Sequence, residues 1–188
     1  MAQLKAIAVE VLEKPFYDLS GHPTHARLIG QIVTAFGLVE AQFLSIFVHL
    51  LRAPPWRAQP IWDSMHTRNP QMEMLKSLLE KTKLRGRMNE FILDLITDSR
   101  ELAKIRNKYA HGLWLNIKNT PHIVTSKNLA LSSSNKAAVP LKQLRTELKK
   151  IRAFENRVHQ MAMSVALWYP LNVAHEDTQR GWRERHRV

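Results

Sequence analysis

The fold is decided by the stretch Phe91–Trp114, FILDLITDSRELAKIRNKYAHGLW. On a helix, where each residue turns by about 100°, most of its apolar residues fall on one side. Gly112 follows the last residue of this pattern, in the place where a glycine with a left-handed backbone commonly ends a helix. The stretch therefore predicts a long amphipathic helix from about Met88 to His111. Its buried face is expected to hold Ile92, Leu95, Ile96, Ser99, Leu102, Ala103 and Ala110.

Apolar residues at spacings of three and four also recur on both sides of this helix. The strongest pattern runs over residues 28–51 and predicts a second long helix. Residues 58–66 and 69–86 fit two shorter helices, and the second of these is opened by an asparagine and a proline. Pro140 opens the last long helix, whose apolar positions continue to Trp168. Together these segments predict a helical bundle.

Residues 113–131 change from a helical to an alternating pattern. LWLNI alternates, NTP fits a turn and HIVTS is rich in residues that favour strands, so a small β-hairpin is expected before the last long helix. Residues 132–138 are expected to form a loop. The predicted fold class is all-α, a bundle of four to five helices with this hairpin as an insertion.

The length of 188 residues suits one domain with a sizeable core. We expect a single helical domain over 1–188, with its core at about 25–170. Residues 1–20 fit either a helix or a strand, and the polar, arginine-rich tail at about 175–188 is expected to be mobile. The chain has no cysteine, which excludes disulfides and thiolate metal ligands.

The charge of the chain favours a polyanionic partner such as nucleic acid. The net charge is +12 and the pI is near 10.3. Residues 1–86 hold 10 basic against 7 acidic side chains, whereas residues 87–188 hold 18 against 9. No uninterrupted apolar run reaches the roughly 18 residues that span a membrane, and the start lacks a secretory pattern. We therefore expect a cytoplasmic protein without a membrane partner.

Arg106 falls near the middle of the apolar face of the helix that ends at His111. A guanidinium cannot lose its proton, so its burial is costly unless acceptors surround it. Glu40 is the opposite anomaly, because it falls among the apolar residues of the helix at 28–51. We predict that Glu40 and Arg106 lie close together. Two interpretations remain open: a structural ion pair in the core, or the border of a cleft that admits a ligand.

The end of the same helix gathers side chains that suit phosphate chemistry. His111 lies four residues after Asn107, so both can project from one side of the helix, next to Arg106. An imidazole can hold or give up a proton near neutrality, and an arginine can stabilise charge on phosphate oxygens. Lys104 and Lys108 lie on the adjoining flank, where they could contact further phosphates. The alternative is a helix that simply ends on a histidine and a glycine.

The sequence RNKYAH, followed by Gly-Leu-Trp, resembles the signature of HEPN domains. In that signature an arginine and a histidine are separated by four residues near a helix C-terminus, and the order of helices over roughly 25–170 is also similar. The resemblance implies an all-α HEPN-like bundle, usually dimeric. Many such domains are metal-independent ribonucleases of toxin–antitoxin and defence systems, and others bind RNA, a nucleotide or a partner without cutting.

The resemblance also implies residue roles. Arg106 and His111 would be the catalytic pair, and Asn107 an accessory polar residue. The predicted pairing of Glu40 with Arg106 is compatible with these roles if Glu40 holds the inner side of the arginine. A ribose 2′-OH would attack the neighbouring phosphate and leave a 2′,3′-cyclic phosphate, without a metal or another cofactor. The expected partners are RNA, a second copy whose motif helix faces the first, and an antitoxin protein if the chain is a toxin.

Other interpretations are less favoured by the sequence. The main alternative function is a non-catalytic HEPN-like adaptor that binds RNA or a partner protein. His22 and His25 stand three residues apart, but no acidic or second histidine pair lies at helical spacing nearby, so no zinc site is expected. Of the tryptophans that could stack on bases, Trp62 and Trp114 are predicted to be core or interface residues, and Trp56 and Trp182 remain candidates.

Overall fold

The computed structural model describes residues 19, 21–82, 84–117, 120–124 and 136–171. The expectations for the first residues, for the end of the hairpin region and for the arginine-rich tail lie outside these ranges. Within them the chain is mainly helical, as the all-α prediction requires. The elements in chain order are helices α1 Pro23–Leu51, α2 Pro55–Ser64, α3 Arg68–Lys81 and α4 Met88–His111, strands β1 Leu113–Ile117, β2 Thr120–Val124 and β3 Lys136–Ala138, and helix α5 Leu141–Trp168.

Prolines and a glycine fix the ends of these helices. Pro55 occupies the first turn of α2, where a missing N–H costs nothing. The left-handed position before α4 is taken by Gly86, with a φ of 61°. Arg52, just after α1, has a φ of 53°, a conformation that glycine adopts at lower cost than any other residue. The chain therefore places an arginine where a glycine would be less strained.

Gly112 ends α4 at the predicted residue, but for a different reason. Its N–H donates to the carbonyl oxygen of Lys108 at 3.0 Å, and its backbone is not left-handed. Space decides this position instead, because a Cβ here would overlap the Lys108 carbonyl oxygen and lie 2.5 Å from Cδ1 of Ile123. The expectation of a left-handed glycine is thus wrong here, and close packing against β2 explains the residue.

The strands form a small antiparallel sheet in the order β1-β2-β3. In the first pair Leu113 lies opposite Val124 and Ile117 opposite Thr120. In the second pair His122 lies opposite Ala138. The expectation of a loop over 132–138 is therefore wrong for its last three residues. Lys-Ala-Ala has little preference for a strand, and pairing with β2 overrides that preference.

The described chain divides into two compact units. The first unit takes the residues up to Gly37 and Ser99–Glu155, and the second takes Leu38–Asp98 and the residues from Asn156 onward. The boundaries fall within α1, α4 and α5, so each of these long helices contributes one segment to each unit.

The first unit has its own apolar core. The ring of Tyr109 stacks on that of Trp114 with centroids 6.0 Å apart, and the indole Nε1 of Trp114 donates to the carbonyl oxygen of Tyr109. Nε2 of the buried His25 lies 3.0 Å from the carbonyl oxygen of Val139, which links α1 to the start of α5. The buried apolar residues are Leu28, Ile32, Ala35, Phe36, Tyr109, Trp114, Ile123, Val139, Leu144, Leu148 and Ile151.

The second unit is built from helices alone. Phe47 and Trp62 hold α1 and α2 together, with ring centroids 5.1 Å apart. Arg157 on α5 forms an ion pair with Asp98 on α4 at 2.9 Å. The buried apolar residues are Val39, Phe43, Ile46, Phe47, Val48, Leu50, Ala58, Trp62, Met72, Leu75, Leu79, Ile92, Leu95, Ile96, Val158, Ala162 and Val165.

Helix α1 is more apolar than the sequence analysis suggested. Among the described residues it is the one helix long and apolar enough to cross a membrane, by length and composition alone. Its buried residues include Ile32 and Phe36 in the first unit and Val39 and Phe43 in the second. A core helix of this kind passes the same test, so the expected absence of a membrane partner stays a prediction.

Candidate active site

Three polar side chains predicted to act together do lie together at the end of α4. The Nη1 atom of Arg106 donates to Oδ1 of Asn107 at 2.9 Å. The same nitrogen lies 3.2 Å from Nε2 of His111. One guanidinium nitrogen therefore connects an amide and an imidazole that stand one helical turn apart.

The chemistry of this contact fixes the state of the imidazole. An arginine N–H can only donate, so Nε2 of His111 must accept with its lone pair. The contact thus fits the imidazole tautomer that carries its hydrogen on Nδ1. The ring nitrogen that could accept a proton thus faces a permanent positive charge, and its lone pair is engaged as long as the guanidinium stays there. An imidazole and a guanidinium side by side are groups that can act on a hydroxyl proton and on phosphate charge.

Arg106 lies on the buried stripe of α4, but its polar contacts lie at the surface. The stripe continues through the half-buried Leu102 and Ala103 and reaches Tyr109, which is 1% exposed. Arg106 stands one turn before Tyr109 and is itself half-buried, whereas Asn107 and His111 are exposed. A half-buried arginine whose head contacts exposed residues is typical of a long side chain that packs its stem and keeps its charge near water.

Two members of the predicted buried face of α4 turn out differently from each other. Ser99 is fully buried, as predicted. Ala110 is exposed, which contradicts its assignment to that face. The stripe runs from Ala103 through Arg106 to Tyr109 in two steps of three residues. Each step falls short of a full helical turn, so the stripe drifts around the helix and leaves Ala110 outside it.

Glu40, Lys104 and Lys108, the other predicted site residues, differ in their burial and in their contacts. Glu40 is half-buried and belongs to the second unit, whereas Arg106 belongs to the first, and their pairing stays a prediction. Lys104 forms an ion pair with Glu101 at 2.6 Å, with both side chains 72% exposed. The Nζ atom of Lys108 lies 5.1 Å from the centroid of the Tyr109 ring. An exposed ion pair contributes little, so a phosphate could replace Glu101 at Lys104.

Tyr109 is a site neighbour that the sequence did not reveal. The Nε2 amide of Gln143, on α5, donates to the Tyr109 hydroxyl at 3.3 Å and also to Oε1 of Glu147 at 3.2 Å. Burial raises the pKa of the Tyr109 phenol, and the neighbouring Glu147 carboxylate raises this pKa further. The phenol therefore stays neutral and anchors the last turn of α4 to α5. The apolar spacing that continues from Leu102 to Tyr109 was the available signal.

The structure also bears on the possible metal site and on the tryptophans. Among the described residues no group of three or more histidine, aspartate or glutamate side chains is arranged to hold a metal ion. His22 and His25 meet edge to face, with ring centroids 5.7 Å apart. Trp62 and Trp114 are core residues, which is one of the two predicted places for them, and Trp56 is 48% exposed. Trp182 lies outside the described residues.

Comparison of the chain with protein-family models, with curated proteins and with solved structures gives no significant match in any of the three. The resemblance of the motif to HEPN domains therefore stays a prediction.

Proposed function

We propose that this chain is a metal-independent endoribonuclease of HEPN type, with Arg106 and His111 as its catalytic pair. The observation that supports this most is the 3.2 Å separation between Nη1 of Arg106 and Nε2 of His111. It joins a proton acceptor to a cation at an exposed helix end. The net charge of +12 adds a general attraction for RNA.

The reaction is an internal transesterification. Nε2 of His111 removes the proton of a ribose 2′-OH, and that oxygen attacks the adjacent phosphorus. Negative charge grows on the non-bridging phosphate oxygens, which Arg106 stabilises. The bond from phosphorus to the 5′-oxygen breaks, and the imidazolium returns its proton to that oxygen. The products are a 2′,3′-cyclic phosphate and a 5′-hydroxyl, so no water, metal or oxidant is consumed.

Substrate binding prepares the base in this scheme. Before RNA binds, the lone pair of His111 Nε2 accepts from Arg106. A phosphate is a stronger acceptor for a guanidinium than a neutral imidazole is, because both partners are charged. The phosphate therefore draws Arg106 away and releases Nε2 for the 2′-OH. Asn107, which accepts from the same arginine nitrogen, holds the guanidinium near the reacting group.

Partners follow from the same proposal. The exposure of Asn107 and His111 allows a second copy to bring its own motif helix against the first. Such a homodimer of HEPN-like bundles would form one cleft from two copies of the motif. As a toxin of a toxin–antitoxin or defence system in the cytoplasm, the protein would also need a cognate antitoxin.

The second candidate is a non-catalytic adaptor that binds RNA or a partner protein through the same surface. It is favoured by the same contact, since Nε2 of His111 cannot take a proton while Arg106 occupies its lone pair. If no substrate displaces the arginine, the helix end remains a binding surface only.

Incubation with a mixed RNA pool distinguishes the two functions. The wild-type chain should cleave RNA equally well with and without EDTA, and His111→Ala should abolish that cleavage. His159→Ala is the matched control, because His159 is an exposed histidine on α5 in the second unit. RNA binding without cleavage by the wild type would support the adaptor, and cleavage by His111→Ala would contradict the proposed roles.

A further inference from the structure

A second cluster of cations and aromatic rings lies in the second unit, at the end of α5. The guanidinium carbon of Arg85 stands 4.3 Å above the centroid of the Trp168 ring. The backbone N–H of Arg85 donates to the hydroxyl of Tyr169 at 2.9 Å. The guanidinium carbon of Arg52 lies 6.0 Å from the centroid of the Tyr169 ring. Two neighbouring rings thus each carry one arginine.

One hydrogen bond and one unusual backbone conformation lie beside this cluster. Nδ1 of His49 lies 3.0 Å from the carbonyl oxygen of Tyr169, and a carbonyl can only accept, so Nδ1 carries the proton. Arg52 is held in a left-handed conformation directly after α1. A glycine would adopt that conformation with less strain, so fold stability alone does not favour an arginine there. The side chain of Arg52 is the part that a glycine could not supply.

The rings remain accessible despite these contacts. Trp168 is 51% exposed and the preceding Leu167 is 75% exposed. Arg52 and Arg85 are both exposed as well. The sequence around Arg85 is basic, because residues 81–87, KTKLRGR, hold four basic side chains and no acidic one. Two exposed positive charges therefore lie against an exposed ring and a half-buried ring.

We propose that Arg52, Arg85 and Trp168 form a binding site for single-stranded nucleic acid, separate from the residues at the end of α4. Phosphates contact the two guanidiniums, and an unstacked base packs against the exposed part of the Trp168 ring. None of these three side chains takes a proton from a hydroxyl near neutral pH, so the site is one for binding and not for cutting. It deepens the proposed function by naming a second contact for RNA, but its test does not depend on cleavage.

A single strand fits this surface better than a lipid bilayer does. Each nucleotide presents one charged phosphate and one flat apolar base, which matches one arginine and one ring. In a bilayer, insertion of Trp168 would carry the guanidinium of Arg85 along, away from water. A duplex is a poorer ligand as well, because its bases are already stacked on each other.

The test uses the full chain and a fluorescein-labelled oligo(dT) of about 12 nucleotides, a length within the site sizes usual for single strands. This probe keeps phosphates and bases but has no 2′-hydroxyl, so it cannot be cleaved by the proposed chemistry. Fluorescence anisotropy should show that Arg85→Gln and Trp168→Leu each weaken binding by about tenfold. Trp168→Leu should also remove most of the tryptophan quenching that the probe causes in the wild type.

Arg87→Gln is the matched control, because it removes the same charge two residues further along. Arg87 is 91% exposed and pairs with Glu90 at 2.8 Å, so its loss should weaken binding by less than about twofold. Equal losses for Arg85→Gln and Arg87→Gln would mean unspecific attraction and would overturn the proposal. Unchanged quenching in a folded Trp168→Leu chain would overturn it too.

A parallel experiment with lipid vesicles distinguishes nucleic-acid binding from membrane binding. Vesicles of phosphatidylserine and phosphatidylcholine are mixed with the same variants, and sedimentation measures binding. Vesicle binding that depends on Trp168, without oligo(dT) binding, would overturn the nucleic-acid site. If the RNA pool is not cleaved while Trp168 and Arg85 still govern oligo(dT) binding, the nuclease proposal fails and this site stands.

Discussion

The end of α4 in the first unit and the end of α5 in the second use arginine in different ways. At the end of α4, Arg106 contacts an imidazole that can accept a proton. At the end of α5, Arg85 and Arg52 stand over aromatic rings that cannot. A guanidinium supplies positive charge in both places, and its neighbour decides whether the surface can do chemistry or only bind. The net charge of the chain therefore says little about function until the neighbour of each cation is known.

Kinetics should separate the two ends most sharply. Arg106→Ala should lower kcat for RNA cleavage by about 10²–10³, since it removes transition-state charge stabilisation. Arg85→Gln should leave kcat unchanged and raise KM several-fold, since it removes binding alone. Initial rates over a range of RNA concentrations give both constants. A kcat effect of equal size for both arginines would remove the distinction between the ends.

Alanine substitution of the glycines near the two sites, Gly112 and Gly86, should lower stability by different amounts. Gly112→Ala should lower the free energy of unfolding by about 3 kcal/mol, because its Cβ has no room between the Lys108 carbonyl and Ile123. Gly86→Ala should cost only about 1 kcal/mol, since it has open space and loses only the ease of a positive φ. Urea denaturation of both variants measures the difference. Similar losses would show that the end of α4 is not closely packed.

Tyr109 gives a smaller, pH-dependent effect. Because its folded pKa is raised above the usual value near 10, the folded chain holds this proton longer than the unfolded chain. The contribution of the protonated phenol to the free energy of unfolding is therefore complete below about pH 10. It is lost as the pH rises further, by at most about 1.4 kcal/mol per pH unit. Tyr109→Phe should cost about 1 kcal/mol at neutral pH through the lost hydrogen bond with Gln143.

Urea denaturation of wild type and Tyr109→Phe between pH 8 and pH 11 checks this prediction. Lysines titrate in the same range in both proteins, so the difference between the two curves isolates the phenol. Parallel curves would show that Tyr109 does not hold its proton in the folded state.

The lysines beside the motif should give the smallest effect. Replacing Lys104 and Lys108 by glutamine should flatten the salt dependence of single-stranded RNA binding by about 1.4 in log–log slope. The free energy of unfolding should change by less than about 0.5 kcal/mol, since the pair between Lys104 and Glu101 is exposed. Anisotropy at several salt concentrations gives the slope. An unchanged slope would exclude these lysines from the RNA contact.

Much of the helical fold follows from local signals in the sequence. The predicted bounds of α4, about Met88 and His111, match the structure because the apolar spacing is regular over this stretch. The proximity of Arg106 and His111 also follows, since both project from the same last turns of one helix. Such features depend only on residues close together in the chain.

Features that depend on distant residues were missed. Strand β3 forms because β2 offers it a partner, and nothing in Lys-Ala-Ala announces that pairing. Tyr109 acquires its role from Gln143, which lies 34 residues later. The cluster at Trp168 likewise needs α1, α5 and the residues before α4 to meet, and a single-sequence pattern cannot show such a meeting.

The most direct test of the account is the chemistry of the cut ends. A defined RNA oligonucleotide and its fully 2′-O-methylated counterpart are each incubated with the wild-type chain in EDTA, and the products are identified by mass spectrometry. We expect 2′,3′-cyclic phosphate and 5′-hydroxyl ends from the first oligonucleotide and no cleavage of the second. Cleavage of the methylated strand, ends carrying a 5′-phosphate, or no cleavage of either strand would contradict it.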